Sequence, residues 1–530
     1  MTSSTQALRN TSTIASRRIR RVVLIVACIV LAALIFGGAA LATHWPFSQA
    51  RVTQSLQETF PTRVTFGKFY ATYFPNPGCV AENVVFRRLG RSADLPPAVT
   101  IGRMRMEARY SDLFLRPGYL ARIITEGFRV EVPPIGTPLD EAGWKETPSS
   151  TRIGEIILDG SNLTVGRRSG APLVFDIHTL KLTDVSRNKP LKYALFMNNA
   201  LPTGEIRAHG EFGPWNSDDA GQTSASGEYT FDQADLGNFD GISGKLAATG
   251  KFAGVLGHLD TQGKIAIPQF MVTHSEHPVR VDSAYRAVVD GTNGDVTLQQ
   301  VNTAVLKTRI SATGRIAGSA GQSGKTATVD LNVEQGRIQD VLWLFVRGKR
   351  PPFNGNTSFR AHVVIPPGDG GFLQRVRLTG DFGILGGEFA KPSTQLAVDT
   401  LSEKAQNQTA SEKNANDDPD AVLTNLSGHV ELTGGVANFR DFSFEVPGAS
   451  AHMHGTYNLT STAIDLHGTL KTQSELSQMS TGFKSALLKP FNGLFKKKHA
   501  GAVLPVHLLG TYHAPEAGLD VMAAAKDAAK

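Results

Sequence analysis

At 530 residues, of which 41% are apolar, the chain is long enough for several cores or for one extended, repetitive one. Its 53 glycines follow no three-residue period, which excludes a collagen-type helix and fits a chain full of turns. The net charge of +7 comes mostly from five arginines in residues 1–21, so the remainder carries about +2 and no electrostatic footprint for a nucleic-acid partner.

In chain order, the first element is an uncharged run of 22 residues, Val22–Thr43. At ~1.5 Å rise per residue it spans ~30 Å of hydrocarbon, which predicts one transmembrane helix. Arg17, Arg18, Arg20 and Arg21 precede it directly. Positive flanks stay cytoplasmic, which puts the tail 1–21 inside and the bulk of the chain outside. Ala40-Leu41-Ala42 also fits a signal-peptide cleavage site. The run is too long for a signal core of at most ~15 residues, so a retained single-pass anchor is expected. Cys28 falls inside this run and Cys79 beyond it, so no disulfide framework is expected.

Residues 47–60 (FSQARVTQSLQETF) predict a short helix, after which period-two patterns dominate. Residues 326–333 (TATVDLNV) put Val329, Leu331 and Val333 on one face, and Phe359, Ala361, Val363 and Ile365 alternate in the same way. Such alternation marks half-buried antiparallel strands. Typical strand and loop lengths give about 30 strands after the anchor.

Eight of the predicted strands carry apolar-x-Gly-x-apolar, centred on Gly210, Gly250, Gly314, Gly380, Gly428, Gly455, Gly468 and Gly510. Each glycine shares a face with its apolar neighbours and removes a side chain from that face. This predicts a long sheet curled along its length, with small residues leaving room in an apolar groove. An ordinary β-sandwich, with glycines at bulges and corners, is the alternative.

The polar residues 401–420 predict a disordered insert inside the sheet, and 137–152 a shorter linker. Residues 474–495 predict an amphipathic helix with Leu476, Met479, Phe483, Leu487, Phe491 and Leu494 in one stripe, interrupted by Pro490 and followed by Lys496, Lys497 and Lys498. It either closes the end of the β structure or lies on a membrane surface.

Catalytic signatures are missing from the sequence. Residues 319–326 (SAGQSGKT) approach a phosphate-binding loop but lead into a strand pattern where that loop requires a helix, so a hairpin turn is expected. His452 and His454 share one strand face, without further ligands at a recognisable spacing, so a solvated polar face is expected rather than a metal site. Neither a cofactor nor an enzyme activity is implied.

Several segments together resemble the AsmA-like proteins of Gram-negative bacterial envelopes. The anchor followed by residues 64–86 (VTFGKFYATYFPNPGCVAENVVF) looks like their opening module. Residues 171–185 and 201–215 are similar to their middle region. Residues 444–459 (FEVPGASAHMHGTYNL), 463–470, 476–495 and 501–515 resemble their terminal module in order. The resemblance divides the chain into an N-terminal module at 44–136, a middle β region at 153–400, the insert, a C-terminal module at 421–520 and a tail at 521–530.

It also implies an inner-membrane anchored, periplasmic protein that holds phospholipid in a long bent sheet and supports its transfer toward the outer membrane. The expected groove residues are Phe212, Phe252, Ile316, Phe382, Tyr457, Leu470 and Tyr512. The expected partners are phospholipid and the inner membrane, with the outer membrane or its proteins beyond. A scaffold for outer-membrane proteins that uses exposed sheet edges is the second expectation.

Overall fold

The computed structural model describes residues 45–59, 62–88, 97, 99–116, 118–132, 152–167, 171–186, 188–216, 218–319, 324–368, 370–405, 422–472, 503–512 and 514–520. The expected anchor 22–43, linker residues 137–151, helix 474–495 with Leu476, Met479, Phe483, Leu487, Phe491 and Leu494, the lysines 496–498 and the tail 521–530 lie outside these residues. Among the described residues no helix is long and apolar enough to cross a membrane. Among the described residues the fold is mainly β, with 25 strands of antiparallel sheet and a few short helices.

The chain divides into two compact units, residues 1–125 with 140–151, and residues 126–139 with 152–530. One boundary between the units falls within the strand Tyr119–Val132. In the first unit the strand Gly78–Arg88 is central. It pairs with Thr62–Thr65 and Lys68–Thr72 on one side and with Val99–Glu107 on the other. Cys79, Ala81, Val84, Ile101 and Met104 form its interior, and burial pushes the free Cys79 thiol up to about 12. The helix Gln49–Thr59 stands where residues 47–60 predict one.

The second unit is an antiparallel meander in which each long strand from Arg152–Val165 to Ala514–Leu519 pairs with its sequence neighbour, apart from the two-residue strand Ile242–Ser243. Local chemistry sets the turns. Gly434 and Gly435, with φ of +60° and +79°, form the two-residue link between Thr433 and Val436. Positive φ at both central residues matches the right-handed twist of the flanking strands. Pro447-Gly448 makes the next tight turn, with φ of +81° at Gly448.

Two helices pack at strand ends. Ile338–Phe345 lies on Leu236, Ile267, Val279, Val281 and Val305. Its Asp340 is buried and accepts from the Lys307 amide at 3.0 Å and the Thr308 hydroxyl at 2.9 Å. The second helix, Pro392–Ala405, packs Val398 and Ala405 against Val446, Ala449 and Leu470. It corrects the expected boundary of the polar insert, because residues 401–405 are its last turn. Ala405 is fully buried there and the Ser402 hydroxyl donates to the Pro447 carbonyl at 2.8 Å. The strands on either side of the insert, Arg377–Phe389 and Thr424–Thr433, pair directly, so the middle and C-terminal regions belong to one unit.

Candidate functional site

The register of the second unit converts the period-two pattern into continuous rows. One row runs through Leu158, Leu180, Leu195, Ala208 and Tyr229. It continues through Gly250, Gly263, Tyr285, Val301, Ala312 and Leu331. It ends through Ala361, Gly380, Val430, Phe439, Gly455, Leu466 and Leu508. Residues directly opposite in a ladder share a face, so one face is apolar from strand to strand with no charge in the row. A neighbouring row passes Tyr193, Gly210, Gly227, Phe252, Thr261 and Ala287.

The opposite face carries rows such as His209, Glu228, Lys251, Gln262, Arg286 and Gln300, all exposed. Alternating charge suits a solvated surface. Most residues of the apolar row remain only half-buried, and the main contacts of each strand are with its ladder neighbours. Among the described residues no second sheet packs over this face, in contrast to a β-sandwich.

All eight pattern glycines sit inside strands. They do not leave open slots, which corrects the expectation that they make room in the face. A β-carbon on Gly210, Gly250, Gly314, Gly380, Gly428, Gly455, Gly468 or Gly510 would come closer than 3.0 Å to a carbonyl oxygen of the adjoining strand. Over Gly250 and Gly263 a tyrosine side chain takes up the remaining space. Tyr229 and Tyr285 start three ladder spacings apart, ~14 Å at ~4.8 Å each, with Gly250 and Gly263 between them. The rings lie down over these glycines. A β-carbon at Gly250 would meet the Tyr229 ring at 2.8 Å, and one at Gly263 the Tyr285 hydroxyl at 2.6 Å. The two hydroxyls touch each other. Burial, then the Tyr229 hydroxyl, raises the Tyr285 pKa.

Beside this pair opens a cavity of about 550 Å³, lined by Tyr229, Phe252, Leu259, Ile265, Tyr285, Ala287, Val289, Val296, Leu298 and Val301 with Thr261. Apart from hydroxyls its wall is apolar, which suits an acyl chain and offers no counter-charge for an ionic ligand.

The expected groove residues divide into three groups. Phe252 lines the cavity, and Ile316 stands between Val296 and Ala327. Phe212 lies between Leu191 and Ala225, Tyr457 between Ala437 and Ile464. Phe382 reaches toward Phe439 and Phe442, with ring centroids at 6.1 and 6.2 Å and Gly428 between it and Phe442 in the row. Leu470 instead packs under the helix Pro392–Ala405, and Tyr512 lies one residue past its strand, Val503–Thr511. The sequence gives no sign of the Tyr229–Tyr285 contact, because it depends on register across four strands.

On the polar face His452 and His454 are exposed. His454 stands opposite His467, which stands opposite His507. His467 is engaged by Asp520 at 2.8 Å and Asp465 at 2.9 Å, and Asp520 raises its pKa most. Among the described residues no group of three or more ligands could hold a metal ion. Lys325, in the stretch resembling a phosphate loop, opens the strand Lys325–Arg337, and its ammonium is held by Asp295 at 2.8 Å and the Asn293 carbonyl at 2.9 Å. In comparisons with known proteins, the chain matches no family model, no curated sequence and no solved structure.

Proposed function

We propose that this is an AsmA-like, inner-membrane anchored protein whose periplasmic sheet holds phospholipid by its acyl chains and supports its movement toward the outer membrane. The observation that carries the reading is the uncharged row from Leu158 to Leu508, half-buried and uncovered by a second sheet. Acyl chains leaving water gain ~0.8 kcal/mol per CH₂ wherever such a face shields them. A row offering much the same environment at each strand lets a chain slide without a deep trap. The proposal needs no reaction within the chain.

The test is site-specific photocrosslinking of the full chain in cells. A benzophenone side chain at Val301, on the apolar row, is expected to capture phospholipid detectable by mass spectrometry. The same group at Gln300, on the exposed polar face, is expected to capture none. Equal lipid yields from both positions, or none from either, overturn the reading. Protein adducts in place of lipid at Val301 return the scaffold interpretation.

A further inference from the structure

One end of the first unit exposes an aromatic cluster that the proposed lipid face does not use. The turn Tyr73–Pro77 joins Lys68–Thr72 to Gly78–Arg88, and Gly78 pairs with Glu107. That pairing brings the short helix Tyr110–Leu115 to the same end, where Ala108 N–H donates to the Pro77 carbonyl at 2.8 Å. The Tyr110 hydroxyl donates to the Tyr73 carbonyl, tying helix and turn together. Phe74 is 90% exposed and Leu115 79%, with Tyr70 and Tyr73 more than half exposed. Arg109 and Arg116 flank the patch, both exposed.

Exposed apolar side chains are common singly, but a tied cluster of this size marks a contact surface. Its place in the chain says what it contacts. Trp45 stands two residues after the uncharged run Val22–Thr43, and its ring packs 4.7 Å from the Tyr73 ring. The chain therefore enters this unit against the exposed turn itself. Tyrosine and tryptophan sit well at headgroup level, a phenylalanine or leucine reaches the acyl boundary, and arginine meets lipid phosphate.

We infer that Phe74 and Leu115 insert into the outer leaflet of the membrane that residues 22–43 span, with Tyr70, Tyr73 and Tyr110 at headgroup level. The patch is a second membrane contact that fixes the orientation of the first unit on the bilayer. This inference rests on reading residues 22–43 as an anchor, and is independent of whether the second unit binds lipid.

The test uses the full chain in phosphatidylethanolamine–phosphatidylglycerol vesicles. Cys28→Ser removes one thiol, and Cys79 is buried with its thiol pushed up to about 12, which leaves it unreactive. An environment-sensitive fluorophore is placed in turn on Phe74→Cys, Leu115→Cys and, as a control, the exposed turn residue Ser461→Cys. Blue-shifted emission at 74 and 115, quenched by nitroxide-labelled lipid, is expected, with emission at 461 unchanged by the quencher. Water-like emission at 74 and 115 in a chain that floats with the vesicles overturns the inference while the anchor stands. A blue shift without lipid quenching also overturns it, in favour of a protein partner. A chain that does not float overturns both the anchor and the inference.

Discussion

A β-carbon placed on Gly210 would run into the Ser226 carbonyl, and one on Gly314 into that of Thr328. Main-chain atoms cannot swing aside as a side-chain tip can, so the strand itself must move. Gly314→Ala is expected to lower unfolding free energy by ~1–3 kcal/mol, as overpacking does. Gly318 lies four residues along the same strand, where an added β-carbon meets nothing within 4 Å. Gly318→Ala should therefore stay within ~0.5 kcal/mol of the parent in the same urea titration. At Tyr229 and Tyr285 the relevant atoms are the hydroxyls. Tyr285→Phe leaves the Tyr229 hydroxyl without that partner in a half-buried setting and should cost ~1 kcal/mol. The apolar-x-Gly-x-apolar pattern tells which face each glycine occupies. It cannot tell that a ring covers Gly250, because Tyr229 reaches it only through ladder pairing.

At the scale of elements, two tethers have measurable consequences. Asp340, in the first turn of Ile338–Phe345, accepts from the Lys307 amide and the Thr308 hydroxyl. Asp340→Ala takes this acceptor from the Lys307 amide and leaves the Thr308 hydroxyl only the Arg337 carbonyl at 3.4 Å, and should cost ~1–3 kcal/mol, seen as faster hydrogen exchange at the ends of the strands beneath the helix. The second tether joins His467 to Asp520, just past the last strand Ala514–Leu519. Asp520 raises the His467 pKa above its ordinary 6.5. A raised value means that the protonated form is favoured in the folded state. Its stabilising contribution is therefore complete below pH ~6.5 and is lost as pH rises through the higher folded value. Exchange protection of residues 514–519 should fall over that rise, and His467→Gln should remove the pH dependence. An unchanged profile in that variant would exclude His467 as its source.

The helix Pro392–Ala405 was partly legible, since Val398, Leu401 and Ala405 recur at steps of three and four. Its polar end hides it when composition alone is weighed. Ile338–Phe345 is apolar on nearly all sides, and periodicity does not separate such a run from a buried strand.

At the scale of the molecule, the second unit behaves as a repeated two-faced ribbon, each strand adding one more apolar rung and one more polar rung. If lipid lies along the apolar face, a charge anywhere in the row should interrupt it. Leu331→Asp, Phe382→Asp and Tyr457→Asp should each reduce crosslinked or copurified phospholipid several-fold, whereas Gln300→Asp on the polar face should not. Full complementation of a deletion strain by all three apolar-face variants would remove the groove from the mechanism. The effect is expected to be similar at distant strands, because a file of lipid is blocked equally well at any point.

By itself the sequence determined the β class, the alternation of faces, the short helix after residue 47 and the positions of the pattern glycines. All of these depend on neighbours within a few residues, where side-chain period and backbone freedom decide. Only the tertiary structure decided which residues stand side by side across ladders, that no second sheet covers the apolar face among the described residues, and that the glycines admit main chain and tyrosine rings rather than empty space. Those facts depend on register. Register is set by the bulges and turns of every strand taken together, such as the shifts at Arg286/Ala287 and at Phe439/Phe442, and no single segment contains them.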